Sequence, residues 1–135
     1  MINVIMGLKG SGKTKMLIDS INATAASAQG SVVCIEYGSN LRYEVKSSVR
    51  LVSSKEYGIN NLDMLKGFLS GLHAGNYDIT NVYIDNLYKT IGNDRAIGES
   101  FILWCAEFAK ANDMNITLTV SDDPEQASED VKAYL

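Results

Sequence analysis

Short apolar runs alternate along this chain with longer segments whose apolar residues recur at spacings of three and four. The runs contain many β-branched residues and are bounded by glycine or polar residues, which is typical of buried strands. The main strands predicted in this way are Ile2–Met6, Ser31–Glu36, Asn81–Asp85 and Met114–Val120, with a short edge strand at Arg50–Ser53.

The periodic segments between the strands predict amphipathic helices. Glycines suit the carboxyl-terminal caps of the first two helices, and an aspartate followed by proline is typical of a capped helix start. The predicted helices are one from Lys13 to a cap at Gly30, one over Ile59–Leu72 closed by Gly75, one over Glu99–Asn112, and one that opens at Asp123-Pro124-Glu125.

Strands that alternate with helices of this length form parallel β-α-β units with right-handed crossovers. We therefore predict an α/β fold, a three-layer α/β/α sandwich around a mainly parallel sheet. The chain has 135 residues, which is about the size of one domain. No linker or internal repeat interrupts it, so residues 1–135 are predicted to form a single domain.

Composition excludes several classes of protein. Hydrophobic residues make up 46% and charged residues 21% of the chain, which excludes disordered and low-complexity classes. The longest apolar run, Phe101–Ala106, is far shorter than the roughly 20 residues of a membrane span, and the amino terminus lacks the features of a signal peptide. We expect a cytoplasmic protein without membrane contact, in which Cys34 and Cys105 are buried reduced thiols.

The charge balance bears on partners. The net charge is −4, from 12 basic and 16 acidic residues, and lysines and arginines form no cluster along the chain. Proteins that bind nucleic acid through phosphate contacts usually carry a basic stripe, so we do not expect nucleic acid as a partner. The single histidine, His73, excludes a multi-histidine metal site and is predicted to be an ordinary helix-end residue.

The clearest chemical motif is Gly7-Leu8-Lys9-Gly10-Ser11-Gly12-Lys13-Thr14. It matches G-x-x-x-x-G-K-[ST] and lies between a predicted strand and a predicted helix, as a phosphate-binding loop requires. Its glycines allow positive φ values, so that successive amide N–H groups and the helix amino terminus can converge on phosphate oxygens. Lys13 can reach the β- and γ-phosphates, and Thr14 can offer its hydroxyl to Mg²⁺. We predict that this loop binds a nucleoside triphosphate; the alternative is a turn that merely joins a strand to a helix.

A second candidate residue is Asp85, which closes the run Val82-Tyr83-Ile84-Asp85. A carboxylate at the end of a strand beside a phosphate loop can hold Mg²⁺. We predict this metal-binding role for Asp85; the alternative is an acidic turn residue at a strand end.

With these two motifs the sequence resembles the P-loop NTPases, and above all their RecA-like branch. It is also similar to short stand-alone bacterial ATP-binding proteins of unassigned role. The resemblance covers the chain by element order and is specific only at Gly7–Thr14 and Val82–Asp85. It implies the main-strand order 1-4-3-2, with Met114–Val120 between the loop strand and the Asp85 strand. The polar residues of Met114–Val120 depart from this picture, because a central strand covered on both faces is usually more apolar.

The resemblance also bears on the nucleotide and on the attacking water. Asp85 is followed by Asn-Leu-Tyr rather than by a GTPase switch motif, and no Asn-Lys-x-Asp stretch occurs, which favours ATP. Many ATPases of this group carry a glutamate directly after the metal acid, where this chain has Asn86. RecA-like proteins can place the working glutamate at the end of the next strand, which would make Glu36 the catalytic residue that orients water. The alternative for Glu36 is a solvated carboxylate at a strand end.

The polar stretch after the fourth strand has two interpretations. Ser121, Asp122 and Asp123 occupy a position where the family often places a sensor of the γ-phosphate, but Asp123 is explained equally well as a helix cap.

We expect a Mg²⁺-dependent ATP-binding protein that hydrolyses ATP slowly, with Lys13 and Glu36 as its catalytic residues. A regulatory switch without turnover and a small-molecule, nucleoside-type kinase are the alternatives. No arginine belongs to a recognisable catalytic motif, so we expect a second chain, either another copy or a different protein, to be needed for full activity. Among Arg42, Arg50 and Arg95, Arg42 is preferred as a residue that could reach across such an interface because it follows Glu36.

Overall fold

A single five-stranded sheet forms the centre of the fold, and each strand runs parallel to its neighbours. The computed structural model describes residues 1–135. The strands are β1 (Ile2–Gly7), β2 (Ser31–Glu36), β3 (Arg50–Ser53), β4 (Ile79–Ile84) and β5 (Asn115–Ser121). They lie in the order β1-β5-β4-β2-β3. The predicted α/β class, its parallel sheet and the edge strand β3 are confirmed.

Helices cover both faces of this sheet, as a three-layer sandwich requires. They are α1 (Lys13–Ser27), α2 (Leu62–Gly75), α3 (Leu87–Ile91), α4 (Arg95–Ala111) and α5 (Glu129–Lys132). Alternate residues of β2 show the division: Val32 and Cys34 pack in the cluster formed with α1, whereas Val33 and Ile35 belong to the larger cluster that contains residues of the other four helices. No helix combines the length and the apolar character needed to cross a membrane.

The predicted cap at Asp123 is confirmed, but the helix that it opens is short and is not the last helix of the chain. Pro124–Gln126 form only a 3-10 turn, in which the Asp123 carboxylate accepts the amide N–H of Glu125 at 3.0 Å. Ala127 then takes an extended conformation and is buried in the larger cluster. The 3-10 helix therefore ends before Ala127, and α5 begins separately after its cap at Ser128.

Two other helices begin at different residues from those predicted, because of their capping side chains. α4 starts at Arg95 rather than at Glu99, because the Asp94 carboxylate accepts the first free amide groups of the helix. α2 starts at Leu62 rather than at Ile59, because Asn61 caps it in the same way. The short helix α3 was not predicted, since five residues are too few to show a helical period.

Gly30 does not cap α1, as the sequence pattern predicted. The cap residue is Ala28, and a Cβ atom at Gly30 would collide with the backbone carbonyl of Asp78. The glycine therefore permits a close approach between the chain entering β2 and the chain entering β4.

Parallel pairing brings the carboxyl ends of all strands to one edge of the sheet. In the register of the sheet, Gly7 of β1 is paired with Ser121 of β5, and Ile84 of β4 is paired with Leu118 of β5. The residues that follow β1 and β4 consequently meet above the end of β5. Ligands of open α/β sheets bind at such an edge.

Candidate functional site

The glycine-rich loop, Gly7–Thr14, connects β1 directly to α1. Gly10 and Gly12 both have φ near +84°, a conformation that is costly for residues with a side chain. A Cβ atom at Gly7 would collide with the Ser11 side chain. The backbone path from strand to helix thus requires Gly10 and Gly12, and Gly7 leaves room for the Ser11 side chain.

Lys13 is the first residue of α1 and is largely buried. Its Nζ donates a hydrogen bond to the Leu8 carbonyl oxygen at 3.1 Å, so the ammonium group folds back over the glycine-rich loop. The amino-terminal amides of α1, which have no partners within the helix, open towards the same place. The loop and helix together concentrate positive charge there.

Asp85 follows the last residue of β4 and lies opposite this loop. Its backbone N–H donates to the Ile35 carbonyl oxygen at 2.9 Å, which fixes the residue against β2. Its Oδ1 accepts a hydrogen bond from the Thr119 hydroxyl at 2.7 Å and lies 3.5 Å from Thr14 Oγ1. The structure therefore brings together the two residues predicted as metal ligands, Thr14 and Asp85.

Thr119 of β5 is a site residue that the sequence reasoning missed. It is buried, and its hydroxyl donates to Asp85 while it accepts the backbone N–H of Asn86 at 2.7 Å. The sequence did contain a signal for Thr119, since it is one of the polar residues in a predicted strand that was expected to be apolar. Ile116, Leu118 and Val120 of β5 face the larger cluster, and the intervening Thr119 faces the site.

These residues enclose an open cleft of about 380 Å³, called here the loop cleft. Its walls come from the glycine-rich loop, from Asp85 and Asn86, and from Thr119 and Ser121 of β5, and no apolar side chain lines it. No group of three acidic, histidine or cysteine side chains converges anywhere in the protein. A metal ion in this cleft would therefore take most of its ligands from water or from a bound phosphate, as Mg²⁺ commonly does.

Glu36 does not line the loop cleft. Its carboxylate is buried and accepts the backbone N–H of Asn40 at 2.8 Å and of Leu41 at 3.3 Å. The alternative interpretation, a solvated carboxylate at a strand end, is wrong because the residue is buried. Glu36 instead anchors the loop that leaves β2.

A second polar cluster lies after the carboxyl end of β5. The Asp122 carboxylate accepts two hydrogen bonds from Arg95, at 2.7 and 2.9 Å, and one from the Tyr88 hydroxyl at 2.7 Å. The hydrogen bonds from Arg95 are the largest effect on this carboxyl and hold its pKa well below its usual value. Partial burial, followed by the hydrogen bond to Asp122, raises the pKa of Tyr88. Asp122 therefore stays ionised, and its oxygens are occupied by these partners.

The two cysteines lie away from solvent, as predicted. Both are unpaired and buried. Burial raises the pKa of the Cys34 thiol, and the negative charges of Asp85 and Glu36 raise it further. Burial also raises the pKa of the Cys105 thiol. Neither thiol is a nucleophile in this form.

Comparison of the chain with protein-family models gives no match, and comparison with curated proteins gives none either.

Proposed function

We propose that this protein binds ATP together with Mg²⁺ in the loop cleft and hydrolyses it slowly. The observation that carries the proposal is the convergence of the glycine-rich loop, Lys13, Thr14 and Asp85 on one cleft without apolar lining. Backbone amides, an ammonium group and a helix amino terminus favour a polyphosphate anion. The choice of ATP over GTP depends on the sequence, which lacks the guanine-reading and switch motifs.

The geometry of the candidate ligands supports a magnesium role. Thr14 Oγ1 and Asp85 Oδ1 lie 3.5 Å apart, somewhat more than the roughly 3.0 Å between adjacent ligands of an octahedral Mg²⁺, so a small side-chain movement or a bridging water would let both residues hold one ion. When bound, Mg²⁺ would neutralise charge that develops on the phosphate oxygens. Lys13 would stabilise the same charge, and Thr119 would hold the Asp85 carboxylate in place.

The arrangement of the sheet also supports the proposal. β5 lies between β1, which leads into the glycine-rich loop, and β4, which leads to Asp85. This is the arrangement that the resemblance to RecA-like P-loop NTPases implies.

The position of Glu36 favours a second candidate function, a nucleotide-dependent switch without useful turnover. Its carboxylate is engaged by the amides of Asn40 and Leu41, and Asn86 stands where a catalytic glutamate is common. A protein with no group to orient water would bind the nucleotide and release it largely unchanged. No observation favours a nucleoside-type kinase over these two candidates.

The experiment that tests the proposal is a thermal unfolding series with Mg²⁺ and ATP. Ligand that binds only the folded state adds RT ln(1 + [L]/Kd) to stability, about 2.7 kcal/mol at 100 times Kd. We expect ATP with Mg²⁺ to raise Tm, and Lys13→Ala to remove most of the rise without unfolding the free protein. Lys110→Ala, an exposed lysine in the last turn of α4, is the matched control and should keep the rise. Equal shifts in wild type and Lys13→Ala would exclude this loop as the binding site.

Phosphate release by the same samples separates the two candidates. A slow release that requires Mg²⁺ and Lys13 supports hydrolysis. Tight binding with no release supports the switch.

A further inference from the structure

A second cleft, of about 790 Å³, adjoins the loop cleft on the side of α3. We call it the basic cleft; its lining includes Lys9, Lys89, Arg95, Tyr88 and Asp122. Lys9, Asn86 and Ser121 line both clefts. The two clefts are therefore neighbours, and Asn86 on their shared side directly follows Asp85, beside which the terminal phosphate and its metal ion would lie.

The basic cleft carries more positive than negative charge. Its lining contains three cationic side chains, and its single carboxylate, Asp122, is engaged by Arg95. Lys9 and Lys89 form no ion pair. Because the whole chain has a net charge of −4, this concentration of cations is a local exception, and it will attract an anion.

Arg95 is held rigidly for such a role. Two of its five N–H groups donate to Asp122, which leaves three N–H groups free. A guanidinium fixed in this way loses little conformational freedom when it binds a carboxylate or a phosphate.

Asn86 lies at the junction of the two clefts in an unusual conformation. It has φ near +57°, and its backbone N–H is bound by Thr119. Asn86 is the amino-terminal cap residue of α3, but its side chain makes no capping hydrogen bond. Its amide is therefore available to a ligand in either cleft.

The lining limits the chemistry of the ligand. Tyr88 is the only apolar or aromatic residue of the basic cleft, and its hydroxyl donates a hydrogen bond to Asp122. Sites for nucleosides and similar groups usually have mostly apolar walls, so this cleft suits a small, strongly polar molecule.

We propose that the basic cleft binds a second ligand, a small molecule with a phosphate or carboxylate group, next to the bound nucleotide. Lys89 and Arg95 hold its anionic group, and Lys9 and Asn86 face both ligands. The placement beside a terminal phosphate depends on the proposed function, whereas the anion site itself depends only on the basic cleft.

The test is a titration of the protein saturated with Mg²⁺ and a non-hydrolysable ATP analogue. Inorganic phosphate and succinate are added separately at constant ionic strength, with chloride as the reference, and Tm and heats of binding are recorded. We expect at least one of the two to raise Tm further in a saturable way. Lys89→Ala should weaken that binding about tenfold, since a hydrogen bond to a charged group is lost. Lys110→Ala should leave it unchanged.

A parallel titration of Lys13→Ala without nucleotide separates the two sites. An anion response that persists there and disappears in Lys89→Ala supports the basic cleft, even if ATP itself fails to bind and the proposed function is wrong. A response that needs Lys13 but not Lys89 belongs to the glycine-rich loop and overturns the proposal. The absence of any response beyond chloride, or equal behaviour of Lys89→Ala and Lys110→Ala, overturns it as well.

Discussion

At the scale of single residues, Thr119 links the end of one strand to the candidate metal ligand on another. Its hydroxyl has one proton, which it gives to Asp85, and it accepts from the Asn86 backbone with a lone pair. Both bonds are short, at 2.7 Å, and the residue is buried. Thr119 therefore acts as a positioning residue for Asp85 rather than as a ligand.

Thr119→Val is expected to lower the free energy of unfolding by about 1 to 3 kcal/mol, because the partly buried Asn86 N–H loses its partner. It should also weaken the Mg²⁺-dependent part of ATP binding, which a purely structural role would leave unchanged. Urea unfolding and Mg²⁺ titrations at fixed ATP measure the two effects. Thr119→Ser, which keeps the hydroxyl, should restore magnesium dependence; a Val variant with normal magnesium dependence would refute the positioning role.

Glu36 provides a second test at this scale. The carboxylate accepts through both oxygens, one from Asn40 and one from Leu41. Because an amide offers only one oxygen acceptor, Glu36→Gln should lose one of these bonds and lower stability by about 1 kcal/mol.

The ATPase rate of Glu36→Gln decides the role of this residue. A large fall in the ATPase rate, measured where the variant is still folded, supports the predicted water-orienting role. An unchanged rate leaves only the loop-anchoring role. Glu44→Gln, an exposed glutamate further along the same loop, is the control for both measurements.

At the scale of elements, Asp122 joins three parts of the chain. It follows β5, accepts from Tyr88 of α3 and from Arg95 of α4, and so fixes both helices to the edge of the sheet. A short helix such as α3 has little stability of its own, and this cluster supplies part of what holds it.

The stability due to Asp122 should depend on pH. Since the pKa of Asp122 is lowered in the folded protein, its contribution is complete above the ordinary aspartate pKa of about 4 and declines as the pH falls below it. We expect Asp122→Asn to be less stable than wild type at pH 5 to 8, with a difference that shrinks at lower pH. Urea unfolding at several pH values measures it. Glu107→Gln, on the exposed surface of α4, should show no such trend, and a constant difference for Asp122→Asn would contradict the assignment.

At the scale of the whole molecule, none of the three arginines lines the loop cleft. Arg95 is bound to Asp122, Arg42 lies over the Tyr43 ring at 5.0 Å, and Arg50 is an exposed residue of the edge strand β3. The requirement for a second chain to complete the catalytic centre therefore stays a prediction. No arginine of this chain lines the loop cleft and could replace one from a second chain.

That prediction is tested by measuring the ATPase rate per molecule against protein concentration. An arginine supplied to a phosphoryl-transfer site raises the rate about 10³- to 10⁵-fold. If a second copy of this chain supplies it, the rate per molecule should rise with protein concentration as the copies associate. A low constant rate that increases with a purified partner indicates a foreign chain. A rate near 1 s⁻¹ or above at nanomolar protein, independent of dilution, would show that one chain suffices.

The sequence by itself determined the elements and the class of fold, because their signals are local. Apolar period separates strands from helices, and the α/β class follows from their alternation. It failed where a local pattern was too short or was overridden: α3 has five residues, and the helix that Asp123 opens ends before Ala127.

The tertiary structure alone decided which polar groups meet. The pairing of Ile84 with Leu118 places Asp85 beside Thr119, although the two residues are far apart in the chain, and no local pattern encodes that register. The ion pair between Arg95 and Asp122 likewise joins residues from separate elements. For Glu36, the turn of the following loop directs two backbone amides at the carboxylate. Such contacts depend on strand register and loop path, which form only when distant segments pack together, whereas an apolar period lies within one continuous segment of the chain.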